Sequence, residues 1–71
     1  MKLNVLEKEL KQWGELILTT AEDHVFEIHL GDEVNFDTEN DVLHIKTPQA
    51  TYMIDADSIE YVTKHYAHKE Q

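Results

Sequence analysis

Seventy-one residues, a net charge of −9, no cysteine and no arginine exclude much before any motif is read. A chain this short makes one domain that buries only about 60–65% of its unfolded surface, with no room for separate catalytic and substrate domains. Disulfides, thiolate metal sites and thiol catalysis fall with the missing cysteines, and an acidic chain without arginine repels nucleic acid and anionic membrane.

The apolar stripe opens the chain. Leu3, Leu6, Leu10 and Trp13 recur at steps of three, four and three, which is one face of a helix. The pattern predicts a helix over residues 4–13, with Asn4 as N-cap and Glu7 completing a capping box. Gly14 stands where a C′ glycine ends a helix, and Lys8 and Lys11 suit its C-terminal dipole.

Glu15–Thr20 reads as the first strand, with Ala21-Glu22-Asp23 as a turn. The stretch Val25–Asp37 follows and organises the rest. Phe26, Ile28 and Leu30 alternate with Glu27 and His29, and Val34 and Phe36 alternate with Asn35 and Asp37. Two period-2 segments around Gly31-Asp32 predict a hairpin of half-buried strands over 24–30 and 33–37. Thr38–Asp41 is a turn, Val42–Thr47 the fourth strand, and Ala50–Asp55 the fifth after Pro48-Gln49. Ile59–His68 fits a helical stripe through Ile59, Val62 and Tyr66. Its β-branched and aromatic opening favours a strand instead, with the residues after Tyr66 frayed.

The expected fold is therefore α+β. An N-terminal helix packs on a curved antiparallel meander of five or six short strands, small and barrel-like, over a core of Leu6, Leu10, Trp13, Leu16, Leu18, Phe26, Ile28, Leu30, Val34, Phe36, Leu43, Ile45, Ile54 and Ile59. A helix followed by five short bent strands resembles the Sm-like barrel in outline. The arginines, lysines and glycine pattern with which that family holds RNA are missing, so no functional residue is carried over.

A hydrophobic fraction of 41% supports a folded globule. No apolar run approaches the roughly 18 residues of a membrane span. Met1-Lys2-Leu3-Asn4 leads straight into the amphipathic pattern, without a signal peptide's apolar region. Small secreted domains lean on disulfides, so the expected compartment is the cytoplasm.

Chemistry-bearing patterns are sparse. Five histidines are many for this length. In a meander His29 and His44 lie two strands apart, roughly 10 Å, and His65 and His68 meet only on a helical tail. No metal-ligand spacing emerges. Asp37-Thr38-Glu39-Asn40-Asp41 starts like a calcium loop, but Val42 takes the glycine position and Pro48 that of the bidentate glutamate. Asp32, Glu33, Asp55 and Asp57 adjoin turns, where acids are ordinary. Ser58, the only serine, has no nucleophile context. Trp13 reads as a core anchor, and Tyr52, Tyr61 and Tyr66 as rim or contact tyrosines.

The expectation is a non-catalytic protein-interaction module with no metal and no cofactor, whose partner is a protein, a second copy of the chain included. Residues 15–60 hold twelve acids against Lys46 alone, a local balance of −11. Glu27, Asp32, Glu33, Asp37, Glu39 and Asp41 are the candidate acidic interaction surface. That density also fits an alternative, a nucleic-acid mimic that blocks a basic nucleic-acid-binding protein.

Overall fold

A computed structural model describes residues 1–64. Helix α1 spans Leu3–Trp13. It starts one residue earlier than the capping pattern predicts. Lys2, not Asn4, holds the N-cap position in an extended conformation, and no side chain caps the helix. The reason is burial. Starting at Leu3 sets Leu3, Leu6 and Leu10 in one stripe at 2%, 1% and 5% exposure. A buried leucine contributes about 1.5–3 kcal/mol, more than the ~1 kcal/mol of a typical N-cap. The C-terminus follows expectation. Gly14 adopts a left-handed φ of 96° and donates its N–H to the Leu10 carbonyl at 2.8 Å.

Six antiparallel strands form two open three-stranded sheets. Strands β1 (Glu15–Thr20), β2 (Val25–His29) and β6 (Ile59–Thr63) order as β2-β1-β6; β3 (Val34–Asp37), β4 (Val42–Lys46) and β5 (Thr51–Asp55) order as β3-β4-β5. The final segment is thus a strand through Thr63, as its β-branched residues predict. The tail with Tyr66, His65 and His68 lies outside the described residues.

The predicted hairpin of Val25–Asp37 does not form. Strand β2 pairs with β1 and β3 with β4, in different sheets. The intervening residues explain this. Gly31 takes φ 102°, Asp32 donates its N–H to the His29 carbonyl, and the Asp32 carboxylate accepts the His29 N–H at 2.8 Å. That carboxylate closes the outer edge of β2. The Glu33 carbonyl already accepts from Lys46 N–H at 2.9 Å, so the chain joins the second sheet at once. Leu30 lies in this turn, beyond the alternation of β2, and is 61% exposed rather than in the core.

The core is one cluster drawn from the helix and both sheets. Leu16, Leu18, Ile28 and Leu43 are fully buried, joined by Ile45, Ile54 and Ile59. Phe26, Val34 and Phe36 pack against it partly buried. Trp13 is half-buried at the helix end, with the Lys64 ammonium 5.3 Å from its ring centroid and bonded to Glu9. Leu3 and Ala56 are core residues outside the predicted set. Ala56 opens a short 3-10 turn, Ala56–Ser58, between β5 and β6. The Asp55 side chain accepts the Asp57 N–H at 3.0 Å, and the Ser58 hydroxyl donates to the Asp55 carbonyl at 2.7 Å. Asp55, Asp57 and Ser58 thereby act as turn formers.

Leu18 and Leu30 are both expected in the core, and only Leu18 is buried. Leu18→Ala should cost about 2–5 kcal/mol in urea denaturation. Leu30→Ala should stay within about 0.5 kcal/mol of the parent. A large loss at Leu30 would place it back in the core.

Candidate functional site

Strand pairing assembles one cluster of ionisable groups. Glu15 opens β1 and lies directly opposite His29, the last residue of β2. Glu27 sits two residues before His29, so the period-2 pleat puts both on one face. Asp32 reaches the ring from the turn that follows. His29 Nε2 lies 3.1 Å from Glu27 Oε1 and 3.5 Å from Glu15 Oε1, and His29 Nδ1 lies 3.4 Å from Asp32 Oδ2. The Glu15 side chain is 12% exposed, while the His29 and Glu27 side chains are about half in solvent. Three carboxylates therefore face one imidazole.

The geometry carries a chemical demand. A neutral imidazole has one N–H and one lone pair. Here both ring nitrogens face carboxylate oxygens, so a neutral ring sets one lone pair against another acceptor.

The six acids expected to form one surface divide into two groups. Glu27 and Asp32 converge on His29. The other four follow the β3–β4 hairpin of the second sheet. Glu33 faces Lys46 at 3.8 Å, and Asp37 accepts from the Asn40 side chain at 2.9 Å and its N–H at 3.2 Å. Glu39 and Asp41 are exposed in that turn, Asp41 at φ 56°. His44 lies on β4, in the sheet opposite to His29's. Glu15 was not among the expected site residues. Its signal is register alone: a tight turn at residues 21–24 makes Glu15 and His29 cross-strand partners.

A second surface feature is apolar. Tyr52 and Met53 on β5 are 43% and 69% exposed. Tyr52 packs edge-on against Phe26 of β2, with ring centroids 5.4 Å apart. Phe26 and Met53 share a shallow depression with Thr20, His24 and Ile54. Tyr52 and Met53 are consecutive on β5 and project to opposite faces of the strand, and each leaves apolar area in solvent. Among the described residues, no helix is long and apolar enough to cross a membrane.

The Asp37 carboxyl is held below the ordinary aspartate value, chiefly by the Asn40 side-chain amide and then by the Asn40 N–H. A lowered folded-state value stabilises the protein above the unfolded value and is lost as pH falls through the folded one. Asn40→Ala should therefore raise the Asp37 titration midpoint toward the ordinary aspartate value, followed by carboxyl carbon shifts in an NMR titration. An unmoved midpoint would assign the effect elsewhere.

Comparison with known proteins finds no matching family model, no matching curated protein and no matching solved structure.

Proposed function

We propose that the chain is a small acidic, non-catalytic protein-interaction module that contacts its partner through strand β5. The carrying observation is the exposure of Tyr52 and Met53, 43% and 69%, on edge strand β5, with the partly buried Phe26 of β2 beside Tyr52. Aromatic residues and methionine are enriched at contact surfaces. Strand β5 is also the last strand of its sheet, so its outer backbone edge supports strand addition by an extended partner segment.

The strand order favours a finer reading of the fold as well. Read as β6-β1-β2 and then β3-β4-β5, with the chain passing directly from β2 to β3, it matches the outline of a small open barrel. On this reading Phe26 of β2 and Tyr52 of β5 meet between the two sheets rather than on neighbouring strands. The charge of −9 keeps the module from anionic partners and favours a basic or neutral one.

The test is a pull-down at low salt from a bacterial lysate, with and without competing duplex DNA, using the parent and Met53→Glu. The substitution is on the surface and should change stability by no more than about 0.5 kcal/mol. The expected result is a partner that DNA leaves in place and that Met53→Glu releases. A basic partner displaced by DNA and indifferent to Met53→Glu would instead establish the nucleic-acid mimic.

A further inference from the structure

We propose that Glu15, Glu27 and His29 form a binding site for one divalent transition-metal ion of the zinc type, with Asp32 as the positioning residue for the histidine.

The donor set is mixed rather than merely acidic. It offers one imidazole nitrogen and two carboxylate oxygens, with the three ligand atoms within 4.8 Å of one another. Zinc binds histidine nitrogen and carboxylate oxygen at about 2.0–2.2 Å, so the edges of its tetrahedron are about 3.3–3.5 Å long. The nitrogen-to-oxygen distances of 3.1 Å and 3.5 Å come within about 0.2 Å of that spacing. Three protein ligands leave the fourth position for water or a partner's group.

The second support is the environment of the other ring nitrogen. Metal-bound histidines donate their distal N–H to a carboxylate or carbonyl, which fixes the tautomer and the ring plane. Asp32 Oδ2 lies 3.4 Å from Nδ1 and is itself held by the His29 N–H at 2.8 Å. A proton on Nδ1 aims the Nε2 lone pair at Glu15 and Glu27. Glu15 adds rigidity, because it precedes the fully buried Leu16 and its side chain is largely covered. Lys11, on the nearby helix end, is paired with Glu7 at 3.8 Å. The field of the surrounding acids attracts a dication. The imidazole selects zinc-like ions over magnesium and calcium, which prefer all-oxygen shells.

The experiment is a calorimetric titration of the full chain with Zn²⁺ in a non-chelating buffer, repeated with Mg²⁺. A long-range proton–nitrogen NMR spectrum of the histidine rings accompanies each addition. The chain carries His65→Gln and His68→Gln, which removes the tail histidines as ligands. The expected result is one Zn²⁺ bound per chain, a His29 Nε2 resonance shifted by ligation with Nδ1 protonated, and little response to Mg²⁺. His29→Gln and Glu15→Gln should each weaken Zn²⁺ binding at least about tenfold, and Asp32→Asn by about 10–100-fold. His24→Gln should leave it unchanged. Glu27→Gln, at an exposed strand position, gives the same reading if His29→Gln disturbs the fold. Zinc affinity equal in the parent and these variants, or a His29 ring unmoved at millimolar Zn²⁺, would overturn the site.

Discussion

The double pairing of β1 is the constraint on which the structure depends. It is the central strand of its sheet, hydrogen-bonded to β2 on one side and β6 on the other. Its Leu16 and Leu18 are wholly buried, in one cluster with Leu6 and Leu10 of the helix and Leu43 of the second sheet. Once those leucines face inward, the pleat turns Glu15 and Ile17 outward, and antiparallel register sets Glu27 and His29 beside them. The burial that holds the domain together therefore also places the ionisable cluster. A slip of one residue would expose the leucines and disperse the carboxylates together.

Much of this was legible in the sequence, for identifiable reasons. Residues 15–20 read as a strand and fold as one over the same bounds, because a short β-branched run between Gly14 and Ala21 has no competing pattern. The helix stripe was equally plain, and only its cap misled: burying Leu3 outweighs a cap at Asn4. The hairpin expected at Gly31-Asp32 failed because turn composition does not say where the strands go next. Asp32 spends its carboxylate on the His29 N–H, and Glu33 is already bonded to Lys46. Leu30 lost its core position through that same event. Local alternation was right up to His29 and uninformative one residue later.

The site was legible by half. Glu27 and His29 could be placed on one outward face from parity alone, and Asp32 was marked as an acid at the turn. Glu15 is twelve residues before Glu27, and nothing in its own neighbourhood distinguishes it. Only the pairing of β1 with β2 brings it to the ring. A search for histidine partners by histidine spacing looked to His44, which the break between the sheets places on the other one. The ring's partners are carboxylates, and they come from the strand beside it and the turn after it.

Strand β2 meets both surface features, on opposite faces. Phe26 and Ile28 share the inward parity, with Phe26 reaching Tyr52 of β5. Glu27 and His29 share the outward one. Alternation thus keeps an apolar contact and a charged cluster a few residues apart without mixing them. The exposed Tyr52 and Met53 leave apolar area in water, a modest cost. The charged cluster gathers three carboxylates around one ring at the β1–β2 end of the sheet. In a domain of this size, with net stability of only about 5–10 kcal/mol, the buried leucines rather than the surface cluster fix the β1–β2 register.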